Sequence, residues 1–383
     1  MTEIRFPRLH PLEVASGDVI GPRESPTPEW PPRLPSPVDA LRAAVLPALE
    51  RSPCVVSFSG GRDSSAILAL ATAAAREEGL PVPIPVTLRF PDHPRSHEEE
   101  WQEAVVRHLG LDAWQRVDLR DEVGVLGDRA QDLLMRIGLY WPVNLQFLLP
   151  MVEAAKGGSV LTGNGGDETF QHYDTRSELL VDLLRRPSTR KIREHGPRML
   201  PAPVFRFLNM RRGAYRPSWL RPGAQREIAQ RWAELDPEGC TPFARAIERF
   251  LGGRYFEIVS AAPVVGAMHD VEVVSPFLDP KFLMALTETL PATGFASRSA
   301  GMTDLFGGLL PGEVLRRSTK AVFSEVFWDE QARLFAQDCE AESLDDEFVD
   351  GAKLVELWRR PMPPVKSLGL LQREWLRRRS AQP

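Results

Sequence analysis

The chain has 383 residues, 43% hydrophobic and 26% charged, with a formal net charge of −5. That balance is ordinary for a globular protein and argues against a globally cationic nucleic-acid binder, so no nucleic-acid partner is expected. Three cysteines (Cys54, Cys240, Cys339) are too few for a disulfide scaffold or a Cys-rich zinc module. No apolar run approaches the ~20 residues of a membrane span. The opening MTEIRFPRLHPLEV lacks the apolar core of a secretory signal, so a cytoplasmic location with no membrane partner is expected.

The 35 prolines crowd toward the start, at Pro7, Pro11, Pro22, Pro26, Pro28, Pro31, Pro32, Pro35 and Pro37. Proline fixes φ and removes a donor, so residues 1–36 are expected to form an extended arm with no regular helix, lying on the body or meeting a partner. SPVDALRAAVLPALERS then has an amphipathic helical pattern. PCVVSFS is a short apolar run of the kind a buried parallel strand shows. DSSAILALATAAAREEGL follows as a helix, with Asp63 as its expected cap and Gly79 at its end. VPIPVTLRF and WQRVDL are further strands, separated by the helix SHEEEWQEAVVRHLGL. NLQFLLPMVEAAKGG is a helix and SVLTG a fourth strand. This alternation predicts an α/β fold with a doubly wound, mostly parallel sheet over residues 37–175. After Thr169 the strand signals thin out, and residues 176–383 are expected to be mostly helical.

Ser57-Phe58-Ser59-Gly60-Gly61-Arg62-Asp63-Ser64-Ser65 falls where the first strand should end and a helix begin, the place where open α/β sheets bind ligands. Gly60 and Gly61 let the backbone approach an anion. The helix N–H groups and the hydroxyls of Ser59, Ser64 and Ser65 can donate to it. Asp63 would repel a phosphate unless a divalent cation lay between them, so it is read as a magnesium ligand. The loop has no lysine and does not match G-x-x-x-x-G-K-[ST]. The segment Leu161-Thr162-Gly163-Asn164-Gly165-Gly166-Asp167-Glu168-Thr169-Phe170 likewise follows a strand. There Asp167 can supply a second carboxylate to the same metal, while Glu168 is equally readable as a helix-start acid or as a site residue.

SGGRDSS resembles the pyrophosphatase loop of N-type ATP pyrophosphatases. TGNGGDE resembles the second signature of the asparagine synthetase family, which includes β-lactam synthetases and lasso-peptide cyclases. Two supporting segments occur in the family's order. Val271-Glu272-Val273-Val274-Ser275-Pro276-Phe277-Leu278-Asp279 resembles E-x-R-x-PFLD, with Val274 in place of the arginine and Asp279 expected to cap the next helix. Leu309-Leu310-Pro311 through Arg316, Arg317, Lys320 and Phe323 resembles the family's LP…R-x-x-K-x-x-F segment, with Arg317 on the family's arginine. The resemblance covers roughly residues 40–335. It implies that residues 37–175 are an ATP-pyrophosphatase core completed by the helical part. It also implies that ATP and Mg2+ are bound, with Ser59, Gly61, Asp63 and Ser64 at the pyrophosphate and Asp63 and Asp167 on the metal. Lys320 would stabilise phosphate charge; Val56, Leu88 and Gly163, from their places at strand ends, are expected to border the nucleoside. Ser57, Gly60, Asn164 and Gly165 complete the expected nucleotide contacts, and Lys320, Asp63 and Asp167 are the expected catalytic residues.

The sequence also departs from that family. About fifty residues precede the loop strand, too few for a glutaminase domain. Ammonia or an amine is therefore expected from elsewhere, for example from a separate glutaminase partner. Asn164 stands where asparagine synthetases carry glutamate and β-lactam synthetases tyrosine, and an amide cannot act as a base. Glu257 is a further carboxylate, more readily explained as a solvated or paired surface group. Between Arg176 and Arg221 eleven arginines and one lysine face three acids, either a solvated helical face or a dock for an acidic peptide or protein. No zinc-site histidine spacing, nucleophile elbow or dinucleotide loop is present.

The expected function is an AMP-forming amide synthetase that adenylylates a small-molecule or peptide carboxylate and passes it to an amine. Asparagine formation from aspartate and ammonia is one alternative, and a non-catalytic ATP-binding scaffold is another. A sulfur-transfer or tRNA-modifying enzyme would need a reactive cysteine or a nucleic-acid module, and the sequence offers neither.

Overall fold

A computed structural model describes residues 6–20, 35–185, 188–212, 216–235, 239–317, 321 and 323–381. The first element is a short helix, α1 (Pro11–Ser16), inside the segment expected to be extended. Pro11 opens it, where a missing N–H costs nothing. The His10 ring accepts from Leu12 N, and the Glu13 carboxylate accepts from His10 N at 2.7 Å. Leu12, Val14 and Ala15 are buried, so the segment is helical because a packed apolar side and a cap outweigh its proline content.

α2 (Pro37–Glu50) starts at Ser36, whose hydroxyl accepts from Asp39 N. It leads into β1 (Cys54–Ser57), α3 (Arg62–Glu78) and β2 (Ile84–Arg89), then α4 (Glu99–Leu109) and β3 (Gln115–Asp118). Gly79 and Gly110 end the two longer helices in left-handed conformations, as glycine favours. α5 (Asp128–Ile137) and α6 (Leu149–Ala155) precede β4 (Ser159–Leu161), and β5 (Glu272–Val274) follows more than a hundred residues later. The sheet order is β3-β2-β1-β4-β5 and every pairing is parallel. The doubly wound expectation holds. Its fifth strand and α5 were not anticipated: β5 lies inside a segment read only for its resemblance to E-x-R-x-PFLD, and α5 lies outside every motif.

The period-2 alternation of the strands splits the core into two layers. Val55, Val86, Val160 and Val273 face α5, α6 and the C-terminal helices, with Leu354, Leu370 and Trp375. Cys54, Val56 and Leu161 face α2, α3, α4 and the helix Pro280–Thr289. Each layer includes residues from both halves of the chain. Among the described residues no helix is long and apolar enough to cross a membrane.

One buried acid makes stability depend on pH. Asp329 caps the helix Glu330–Gln337 by accepting from Ala332 N at 2.6 Å, but its Oδ2 has no hydrogen-bond partner among the described residues. Burial raises its carboxyl from 3.8 to about 6, against the Ala332 N–H, which lowers it. The folded state therefore holds this proton more tightly than the unfolded chain does. The group's contribution is fully present below pH 3.8 and is lost as pH rises through about 6. Asp329→Asn removes that dependence. In urea titrations at neutral pH the variant should gain up to about 3 kcal/mol over wild type, and the gain should vanish at acid pH. A pH-independent difference would contradict the assignment.

Candidate functional site

β1 and β4 are neighbours in space, and the chain leaves them in opposite lateral directions, so a crevice opens beyond their carboxyl ends. Both glycine-rich loops reach into it. In the first loop, Ser59 N donates to Ser64 Oγ (3.2 Å), Gly61 N to Ser59 Oγ (3.2 Å) and Ser64 Oγ to Gly61 O (3.1 Å). The hydroxyls thus shape the loop from within. α3 begins at Arg62 with Gly61 as its N-cap and no side-chain capping bond. Asp63 is therefore not the cap expected from the sequence; it sits in the first turn, where the helix dipole favours its charge.

The second loop presses directly against the first. A Cβ on Gly163 would lie 2.8 Å from Ser64 N, and one on Gly166 would overlap the Asp63 carboxylate. These glycines admit the facing loop, a role distinct from the ligand contact inferred from sequence. Gly165, at φ +94, seats against Leu278 and Phe277 of the third motif. Thr162 Oγ1 and Ser275 Oγ, 2.8 Å apart, join the ends of β4 and β5. Asp279 caps the helix Pro280–Thr289 through Phe282 N at 3.0 Å, as expected.

Asp63 and Asp167, 104 positions apart in the chain, meet at one guanidinium. Arg298 Nη2 donates to Asp63 Oδ2 at 2.5 Å, and Arg298 Nη1 donates to Asp167 Oδ1. Both carboxylates line a cavity of about 420 Å³ with Ser57, Ser59, Ser64, Gly163, Asn164 and Gly165. The donor set suits a divalent cation: two carboxylates converge on a position where the protein already places positive charge. Glu168 lines the same cavity and accepts from Tyr255 Oη at 2.7 Å. Burial, and then the charge of Glu168, push the Tyr255 phenol above its usual value. Tyr255 packs edge-on against Trp141, with centroids 5.6 Å apart. Ile258, Val259 and Ala262 continue this apolar wall.

A second chamber of about 440 Å³ adjoins the first and shares Ser57, Ser59, Thr162 and Asn164 with it. Leu88, Phe90, Phe147, Phe323 and Phe327 line it. Phe147 and Phe327 stack with centroids 5.4 Å apart.

Not every candidate faces this cleft. Val56 is fully buried among the α2–α3 layer, and neither chamber is lined by Val56, Gly60 or Gly61. Gly60 O instead accepts from Arg317 Nη1 at 2.9 Å. Arg317 is itself buried and paired with Glu98, so the fourth motif holds the first loop from behind. Lys320 lies outside the described residues. Glu257 pairs with Arg254 at 3.4 Å, the bland outcome weighed for it. Arg298 and Tyr255 were missed. Neither belongs to a recognised motif, although Ser297-Arg298 opening a helix is a cap signature that could have drawn notice. The Cys54 thiol is pushed up to about 11 by burial, which is unlike a reactive cysteine.

Two glycine-rich loops facing one another across the switch point of a parallel sheet place the chain in the doubly wound α/β class. Residues 38–379 match the family described as asparagine synthase, and the chain belongs to that family of ATP-dependent amide-forming synthetases. No curated protein matches the chain.

Proposed function

We propose that this protein is an AMP-forming amide synthetase that joins an apolar or peptidic carboxylate to a preformed amine. The observation that carries the reading is the meeting of Asp63 and Asp167 in one cavity that continues into an aromatic chamber. ATP would place its base among Leu88, Phe90, Phe147 and Phe327, and its pyrophosphate at Ser59, Ser64 and the uncapped start of α3. A carboxylate oxygen of the substrate attacks the α-phosphorus and the bond to the β-phosphate breaks, giving an acyl-adenylate and pyrophosphate. The amine nitrogen then attacks the acyl carbon, and AMP leaves.

Asp63 and Asp167 would hold Mg2+, which supplies charge neutralisation at the phosphates when bound. Arg298 balances the two carboxylates beforehand. By the family resemblance, Lys320 adds positive charge at the phosphates. The wall formed by Trp141, Ile258, Val259 and Ala262 favours an apolar acyl group over aspartate, whose second carboxylate and ammonium would need charged partners. Asn164 cannot take the amine proton, but Tyr255 and Glu168 can. The phenolic oxygen accepts that proton as its own passes to the Glu168 carboxylate along the 2.7 Å bond.

Labelled pyrophosphate exchange into ATP, run across a panel of carboxylic acids, tests the reading. Apolar or peptide acids should support exchange. Robust turnover of aspartate with ammonia would overturn the specialised assignment, and ATP binding without exchange on any acid would indicate a scaffold. Tyr255→Phe should retain exchange and lose about 10²-fold or more in amide formation. Equal loss of both steps would remove Tyr255 from the proton path.

A further inference from the structure

Three short helices, Arg176–Arg185, Thr189–His195 and Ala202–Arg212, follow the second loop. They are thinly anchored. Leu179 is the only residue of the first helix that is buried, and the second helix buries none. Leu180, Val181, Leu184, Ile192 and Val204 all face solvent, Leu184 at 73% exposure. Ile192 also lines a groove of about 430 Å³ together with Leu200, Leu208 and Arg193. Aliphatic side chains clustered in this way mark an interaction site, since scattered exposed residues would need no explanation.

Charge identifies the occupant. From Arg176 to Leu208 the described residues carry seven cations against three acids. The acids are already engaged: Asp182 with Lys191 and His195, Glu194 with Arg190, and Glu178 with His172. Arg176, Arg185, Arg193 and Arg206 are exposed and have no ion pair among the described residues. A ligand that satisfies this face must carry apolar side chains for the groove and carboxylates for the arginine rim. An amphipathic peptide segment with an acidic face has both. A phosphate backbone would engage the arginines and leave the aliphatics wet. A bilayer needs one flat apolar face, whereas Ile192, Leu200 and Leu208 line a concavity between the second and third helices.

We infer that the helices of residues 176–212 form a docking surface for an acidic amphipathic peptide segment of a partner polypeptide. The surface begins eight residues after Glu168 in the chain. The inference does not depend on the reaction proposed above, and its test measures binding alone.

The probe is a fluorescent helical peptide with Glu on one face and Leu on the other, titrated with the full chain at low and high salt. A matched peptide carrying Lys in place of Glu is the control. The acidic peptide should bind and weaken with salt, and the basic one should not bind. Arg193→Glu and Ile192→Asp should each weaken binding about tenfold or more, with thermal unfolding unchanged because both side chains are exposed. Lys353→Glu, on another surface, should bind as wild type does. Failure of the acidic peptide to bind, or wild-type affinity in both groove variants, would overturn the assignment. So would phosphatidylglycerol vesicles or a single-stranded oligonucleotide binding through the same residues where the peptide does not.

Discussion

Asp63→Asn should lower pyrophosphate exchange about 10³-fold or more while leaving a folded protein. The carboxylate shares the Arg298 guanidinium with Asp167, and its removal leaves the cation under-compensated at the point where phosphate charge must be managed. Asparagine keeps the size and one acceptor oxygen, so the packing against Gly163 and Gly166 survives. The cost to stability is expected to be only about 1 kcal/mol, because the Asp63 and Arg298 side chains are partly open to solvent. Exchange assays across magnesium concentration provide a second readout: the variant should need more metal for half-maximal rate. Exchange within tenfold of wild type, at unchanged metal dependence, would mean that the two aspartates do not share a cation.

Glu98→Ala should produce the largest loss of stability, about 3–5 kcal/mol by urea unfolding. Glu98 and Arg317 are 8% and 6% exposed, and the carboxylate accepts from the guanidinium and from Ala321 N at 2.9 Å. Without it a charged arginine stays buried over the Trp101 ring, 4.9 Å from its centroid. The double change Glu98→Leu with Arg317→Met should regain much of the stability, since replacing both partners of a buried pair with apolar groups is often neutral. Activity should stay low in the double variant, because Gly60 O loses the donor that holds the first loop. Recovery of activity along with stability would show that the loop needs no such anchor.

These cases show which parts of the molecule are legible in one dimension. β1, β2, β3 and β4, with the helices between them other than α5, announce themselves by apolar runs and glycine stops, which are local signals. The two loops do so because each packs several glycines and an aspartate next to a strand. Arg298 and Tyr255 carry no such mark. They reach the cleft because α3 and the helices Arg254–Val259 and Arg298–Phe306 pack around it, and that packing is set by residues distant in the chain. Arg317 was visible as the family's arginine, but its work was not: burial and the bonds to Glu98 and Gly60 O make it a brace. α1 was hidden by proline content, since a proline at the first helical position reads like a helix breaker until its packing is known.

That small helix has a wider consequence. It precedes the segment shared with the family, yet the Glu13 carboxylate receives Arg254 Nε at 2.7 Å, beside Tyr255, and Ala15 O receives the indole of Trp219 at 2.8 Å. Residues ahead of the shared segment therefore act as a keystone under the common architecture, and cutting the chain at the family boundary would leave Arg254 and Trp219 without these acceptors.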